Sequence, residues 1–193
     1  EGKTVIFMRD SKGIAAAAAL KDTVREEAKE AIKLLQSLGI KTVMLTGDNE
    51  KTANVIAKEA GIDQYIAECL PETKVQHMKE LLAEHKFVGM VGDGINDAPA
   101  LATATTGFAM GEGTDVALET ADVILMKNDL SKIAYAVKMS RKMQRIVKQN
   151  IFFSITVIAL LIISNFLQVV DLPMGVIGHE GSTILVILNG LRM

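Results

Sequence analysis

The chain has 193 residues, 49% of them apolar and 23% charged, with a formal net charge of −2 and a single cysteine. That length suits one domain of ordinary size with a small annex. One cysteine excludes an internal disulfide framework, and no nucleic-acid partner is expected. The charge is unevenly spread: residues 1–150 hold 20 of the 21 Lys and Arg and 21 of the 23 Asp and Glu, and the remainder holds only Asp171, Glu180 and Arg192. The tail therefore belongs to a different solvent class from the rest. The chain begins at Glu1 and ends at Met193 inside an apolar run, so it is expected to be a piece of a longer protein.

Residues 4–8 (TVIFM) and 14–20 (IAAAAAL) are expected to be two strands around the turn Arg9-Asp-Ser-Lys-Gly13, with Gly13 at a position needing positive φ. Alanine propensity argues for helix in the second run, but its brevity and the preceding glycine favour strand. Val24, Ala28, Ala31, Ile32, Leu35 and Leu38 recur at helical period up to a stop at Gly39. Ile40–Leu45 reads as a strand, Asn49 to Ala60 as a helix ended by Gly61, and Ile66–Leu70 as a short strand. Pro71 opens a helix to about His85, whose flanking His77 and His85 are expected at the surface. Phe87–Val91 is a strand, followed by a GDGIND loop and a helix from about Pro99. Gly107–Met110 and Val123–Met126 complete the strands. Strand and helix alternate over short links, which implies a parallel sheet covered by helices. Cys69 is expected to be a small packed residue.

From Ile151 the pattern changes. IFFSITVIALLIISNFLQVV carries no charge over 20 residues, and a helix of that length reaches about 30 Å, the thickness of a bilayer core. Asp171-Leu-Pro173 makes a reversal, and a second span runs back from Met174 to about Leu191. Arg141, Lys142, Arg145 and Lys148 precede the first span and Arg192 follows the second, which puts both outer ends in the cytoplasm. A helix from Ser131 leads into the membrane as a stalk. A buried hairpin in a soluble protein is the alternative, and a chain of this length lacks the core to enclose it.

Three short segments carry chemistry. Thr46-Gly47-Asp48-Asn49 follows the strand VMLT, where a hydroxyl and backbone N–H groups can hold a phosphoryl oxygen. Lys74 is a cation that could neutralise the same group. Asp93 and Asp97 follow FVGMV, and two carboxylates there suit Mg²⁺, with Gly92 and Gly94 letting the backbone approach closely. Each has a plainer reading: Asp48 or Asn49 as a helix cap, Asn96 or Asp97 as the cap of the next helix, and Lys74 as one surface lysine among many. As an ordered set, strand–TGD, Pro-x-x-Lys, strand–GDGxND, they are far more specific than any one alone.

The set resembles the phosphorylation domain of the P-type ATPases, with a haloacid-dehalogenase-like, Rossmannoid α/β fold. The resemblance implies Thr46, Gly47 and Asp48 as the phosphate-side loop, Lys74 as a phosphate contact, Asn96 beside the phosphate, and Asp93 and Asp97 as Mg²⁺ carboxylates. Leu20-Lys21-Asp22 with Arg25 resembles the element that follows the nucleotide-binding domain. The implied division is a link from the nucleotide-binding region at 1–20, the phosphorylation domain at 21–130, a stalk at 131–150 and membrane helices at 151–170 and 174–192. The family's phosphorylated aspartate lies in Asp-Lys-Thr-Gly-Thr, which this sequence lacks. The nucleophile, the nucleotide-binding domain and the actuator domain are therefore expected before Glu1, and this chain alone is not expected to turn over ATP.

His179 and Glu180 lie near the start of the returning helix, where ionisable groups point to function. Imidazole and carboxylate suit Zn²⁺, Co²⁺ or Fe²⁺; Thr183, one turn beyond His179, could add an oxygen. The plainer reading is a hydrogen bond between helices. Gly175, Gly178 and Gly181 would allow close helix packing, and Asn150, Asn165 and Asn189 could join helices or touch an ion. HEGST resembles the last-helix motif of the cobalt/zinc/iron-type branch of heavy-metal P-type ATPases, where the residues matching His179, Glu180 and Thr183 are linked to the transport site. A Ser-Pro-Cys helix that completes that site is absent here, the copper branch uses a different last helix, and relatives preferring zinc, cadmium and lead usually carry an aspartate there instead. The resemblance implies part of an ATP-driven exporter of a divalent cation (Zn, Co, Fe or Cd), with an aspartyl-phosphate intermediate and coupling through the stalk. Its partners would be ATP, Mg²⁺, the metal ion, membrane lipid and the rest of the same protein, in a bacterial cell membrane with residues 1–150 cytoplasmic. A membrane-anchored phosphatase of the same fold and an inactive pump fragment acting as a binding partner are the alternatives.

Overall fold

The computed structural model describes residues 4–10, 13–20, 23–169 and 171–192. The chain divides into two compact units, Glu1–Ala134 and Tyr135–Met193. In the first, β1 (Thr4–Asp10) and β2 (Gly13–Leu20) form an antiparallel hairpin, with Phe7 opposite Ala17. Gly13 takes φ +133°, a left-handed value that favours glycine. The alanine run is thus a strand: cross-strand pairing with apolar β1 overrides its helix propensity.

Helix α1 (Glu26–Ser37) and helix α2 (Glu50–Ala60) end at glycines with positive φ, Gly39 at +73° and Gly61 at +75°. Between them β3 (Val43–Leu45) pairs in parallel with β4 (Gln64–Ile66). The expected strand at 66–70 lies earlier than the sequence suggests. Its second half is a loop, in which Glu68 adopts φ +55° and so leaves the extended region.

Helix α3 (Pro71–Glu84) leads to β5 (Gly89–Gly92), a single 3₁₀ turn (Ile95–Asp97), α4 (Ala98–Thr103), β6 (Thr106–Met110), α5 (Asp115–Thr120) and β7 (Val123–Leu125). α5 escaped the sequence reading because six residues are too few to show a period. β5, β6 and β7 form a parallel sheet in that order. The expected single parallel sheet is therefore present in two pieces, β3–β4 and β5–β6–β7. Among the described residues β3 bonds only to β4 and β5 only to β6, so each keeps one edge without a strand. The core packs α3, α4 and α5 on the three-stranded sheet through Met78, Met90, Ala100, Leu101, Ala109 and Ala117. Small residues let backbones close in: a Cβ on Gly107 of β6 would lie 3.0 Å from the Leu101 carbonyl oxygen of α4.

The second unit contains most of α6 (Ser131–Phe166) and α7 (Leu172–Gly190). α6 is one continuous helix of 36 residues. It stops short of the expected span end at 170, because Leu167 and Gln168 form a turn with Gln168 at φ +54°. Its apolar stretch has a mean hydropathy of 2.1, with 6% of it buried. Among the described residues α6 alone is long and apolar enough to cross a membrane. α7 falls short of the same measure because it includes His179, Glu180, Asn189 and four glycines.

Candidate functional site

The loop after β3 is a closed turn. The Thr46 hydroxyl donates to Asp48 Oδ2 at 2.7 Å, and the Asp48 N–H donates back to Thr46 Oγ1 at 3.2 Å. The parallel ladder continues past the strand ends: Thr46 N–H donates to the Ile66 carbonyl, Cys69 N–H to that of Thr46, and Glu68 N–H to that of Asp48. The 46–48 loop is thereby fixed against 66–69. Asn49 is a helix cap, its side chain accepting from Thr52 N–H at 3.1 Å. Asp48 is not, and its exposed carboxylate belongs to the turn. Cys69 is buried, and that burial raises its thiol pKa against the smaller opposing pull of the Lys74 cation.

Five residues after Cys69, α3 presents Lys74. Its Nζ lies 2.7 Å from Asp97 Oδ1, and the two side chains are only 15% and 14% exposed. This contact joins residues 23 apart in sequence and settles two plainer readings. Lys74 is not one surface lysine among many, and Asp97 makes no side-chain cap to α4. Gly92 exists for Asp97: a Cβ there would lie 2.6 Å from the Asp97 Cβ. Gly94 does not share that role, since a Cβ there would meet nothing closer than 3.9 Å.

Asp93 and Asn96 are exposed on the same loop. The Asp93 backbone is held from the far side, its carbonyl accepting from Thr114 N–H at 2.8 Å, while a Cβ on Gly113 would come within 2.7 Å of that oxygen. Asp93 lines a cleft of about 330 Å³ with Arg25, Glu27, Glu112 and Asn128. Glu112 and Asn128 clasp each other: Asn128 Nδ2 donates to Glu112 Oε2 at 2.6 Å, and Glu112 N–H donates to Asn128 Oδ1 at 3.2 Å. Sequence reasoning missed this clasp. Its signals were the Gly-x-Gly at 111–113 and an asparagine at 128, which takes φ +52°. Lys21 and Asp22 lie outside the described residues.

The donor set at Asp93 and Asp97 fits Mg²⁺. That ion takes one or two carboxylates and keeps waters and phosphate oxygens for the rest. Asp97 Oδ1 is engaged by Lys74, which leaves Oδ2 and the exposed Asp93 carboxylate as oxygen donors.

In α7, His179, Glu180 and Thr183 are exposed, and the Ser182 and Thr183 hydroxyls donate to the His179 carbonyl at 2.7 and 3.2 Å. The hydroxyl offered as a ligand thus bonds to its own helix. Among the described residues no group of three or more His, Cys, Asp and Glu side chains could hold a metal ion. Of the three glycines expected to admit close packing, only Gly178 faces α6, its Cβ position 3.3 Å from Leu161; Gly175 and Gly181 meet nothing within 4 Å. Asn150 and Asn189 join the helices. Asn150 Nδ2 donates to the Val186 carbonyl at 3.3 Å, Asn189 Nδ2 to Asn150 Oδ1 at 2.8 Å, and Arg192 to Asn189 Oδ1 at 3.0 Å. Asn165 is exposed.

Strand-end loops on parallel strands, with a lysine–aspartate contact between α3 and the second loop, place the first unit among the α/β domains. The model of the haloacid dehalogenase-like hydrolases matches residues 1–105, and the chain belongs to that family. Over its full length it is similar to P-type metal ATPases. It is 62% identical over 192 residues to the zinc-transporting ATPase of Bacillus subtilis (strain 168), covering 100% of this chain and 30% of that protein. It is 46% identical over 198 residues to the cadmium-transporting ATPase of Staphylococcus aureus, covering 100% of this chain and 27% of that one. A crystal structure of a zinc-transporting PIB-type ATPase in the E2.Pi state superposes with a TM-score of 0.90 at 40% identity, over 99% of this chain and 31% of that chain. The chain thus spans under a third of each of these three relatives.

Proposed function

We propose that this chain forms the C-terminal part of the phosphorylation domain and two membrane helices of an ATP-driven exporter of divalent transition metals. Zinc and cadmium are the first candidates because they are the cargoes named for its relatives. The observation that carries the reading is the Lys74–Asp97 contact at the ends of parallel strands, in a chain that also carries the apolar helix α6. Thr46 and its locked turn offer a hydroxyl and backbone N–H groups to a transferred phosphoryl group. Lys74 adds positive charge where negative charge develops, and its grip on Asp97 holds one carboxylate in place. Mg²⁺ bound at Asp93 and Asp97 would neutralise the phosphoryl oxygens. Asn96 lies on the exposed rim of the same loop, in reach of a bound phosphate.

The nucleophilic aspartate is supplied by sequence outside this chain, which contains no Asp-Lys-Thr-Gly-Thr. The sheet edges support this: among the described residues β3 and β5 each keep one edge without a strand, and each strand leads into one of the two loops. His179, Glu180 and Thr183 contribute part of the cargo site, with the remaining ligands on other helices. Coupling between the two sites runs through α6.

The test uses the complete polypeptide in membrane vesicles. Zinc or cadmium should stimulate formation of an acid-stable phosphoenzyme from ATP, and Asp93→Asn should abolish it. His179→Ala should remove the metal dependence while sparing phosphorylation by inorganic phosphate. The chain of this sequence alone should show no ATP turnover. Robust Mg²⁺-dependent turnover by this chain, or metal-independent phosphatase activity of the complete protein, would overturn the reading.

A further inference from the structure

α6 carries six Lys and Arg and no Asp or Glu: Lys132, Lys138, Arg141, Lys142, Arg145 and Lys148. Four of these, Lys138, Arg141, Arg145 and Lys148, follow spacings of three and four residues and so lie on one face. All four are exposed, and the face continues into Phe152 and Ile155, 75% and 62% exposed. Like charges at this spacing destabilise a helix, and no acidic residue of α6 relieves them. Around Arg141, Gln144, Arg145, Lys148, Gln149 and Phe152 the face holds a cleft of about 470 Å³. It sits where charge stops: after Lys148 no ionisable side chain occurs until Asp171.

We propose that this face is a binding site for the headgroup of an anionic phospholipid, with the phosphate over Arg145 and Lys148 and an acyl chain along Phe152 and Ile155. Charge complementarity selects an anion. The apolar continuation selects a lipid over an acidic protein segment, because such a segment would match the cations and leave Phe152 and Ile155 uncovered. Gln144 and Gln149 flank the cations and offer amide donors to headgroup hydroxyl and phosphodiester oxygens. Attraction of this kind is local, falling off within a Debye length, so it requires α6 to stand in the bilayer. It does not require the chain to be part of a pump.

The chain contains no tryptophan, so Phe152→Trp, in the complete protein with any tryptophan outside this chain replaced by Phe, supplies a unique fluorescent reporter at the boundary. The protein is reconstituted in mixed bilayers of phosphatidylcholine and phosphatidylglycerol, with bromines placed first on one lipid and then on the other. Quenching then gives the relative affinity of the two lipids at position 152. The expected preference for phosphatidylglycerol is on the order of thirtyfold, from two cations near the surface. It should shrink in high salt, and R145Q/K148Q in the same background should bring it close to one. Equal quenching by both lipids would overturn the proposal, and that is the result an acidic protein segment as occupant predicts. A preference unchanged by R145Q/K148Q would overturn it equally. Quenching by neither lipid would also overturn it and would place position 152 outside the bilayer. Equal quenching leaves the pump reading intact, so the two can fail separately.

Discussion

Gly92 and Gly94 flank Asp93 in one loop, yet alanine should act on them with opposite sign. A Cβ on Gly92 would lie 2.6 Å from Asp97 Cβ and 3.2 Å from its Cγ and Oδ2. The obstructing atom is the root of the Asp97 side chain, so relief requires the backbone or the whole side chain to move. Overpacking of this kind costs about 1–3 kcal/mol. The movement also draws Asp97 away from Lys74, now 2.7 Å distant; weakening a charged hydrogen bond adds roughly 1 kcal/mol. Gly94 has φ −115°, open to any residue, and its Cβ position meets nothing closer than 3.9 Å. Alanine there only restricts the unfolded chain, a stabilisation of about 0.4–1 kcal/mol. Gly92→Ala should therefore lower Tm by roughly 4–8 °C for a loss of about 2 kcal/mol, while Gly94→Ala leaves it level or slightly raised. The assay is thermal unfolding of the intact chain in one detergent, followed by circular dichroism. Equal losses at both positions would refute the assignment of Gly92 to Asp97 and return both glycines to a generic loop role.

Other substitutions test the remaining geometry. A double-mutant cycle on Lys74→Met and Asp97→Asn should give a coupling of about 2 kcal/mol, between the values for exposed and for fully buried pairs; a coupling below about 0.5 kcal/mol would show the contact to be incidental. Asn128 holds φ +52° and both bonds to Glu112, so Asn128→Ala should be less stable than Asn128→Gly by about 1 kcal/mol of left-handed strain. Urea denaturation of the two variants checks that order. Asp63 accepts from the Thr42 N–H and hydroxyl, both at 2.8 Å, and the backbone bond, then the hydroxyl, holds its carboxyl below the usual range. A depressed carboxyl contributes stability above its unfolded pKa and loses it as pH falls through the folded one. Thr42→Val should accordingly raise the Asp63 titration midpoint in NMR spectra and flatten the acid limb of the stability profile.

The parts legible in sequence were those with a local cause. Gly13, Gly39 and Gly61 announced their turns because only glycine takes those φ values at no steric cost. Asn49 announced the start of α2 because its cap lies three residues away, at Thr52. The motif order gave the family, since the loops at 46–48 and 93–97 each follow a strand. What sequence could not give was contact at a distance. Lys74 and Asp97 meet across 23 residues, and the Glu112–Asn128 clasp across 16. Gly92, Gly178 and Gly175 look alike in sequence, and only the third dimension shows that two of them face a neighbour and one faces nothing. The sheet appeared single from the alternation of elements. Its division follows from pairing, which alternation does not encode.

The two helices of the second unit divide their polar groups in a way that bears on the proposed cargo site. Asn150, Asn189 and Arg192 satisfy one another and the Val186 carbonyl, so at that end the helices bond to each other. At the other end Gly178 brings α7 against Leu161, a side chain with no polar atom to offer. His179 and Glu180, the next two residues, therefore start from an apolar contact. Ionisable side chains in a membrane helix each oppose insertion by roughly 2.5–3.5 kcal/mol on translocon scales, and α7 falls below a spanning mean hydropathy among the described residues. Under the proposed function the polar pair would be stabilised in the bilayer by groups beyond α6, namely other helices and a bound cation. His179→Leu with Glu180→Leu should consequently make α7 insert more readily in a translocon assay while abolishing metal-dependent phosphorylation of the complete protein. If insertion improves and metal dependence survives, the pair is structural and the cargo site lies elsewhere.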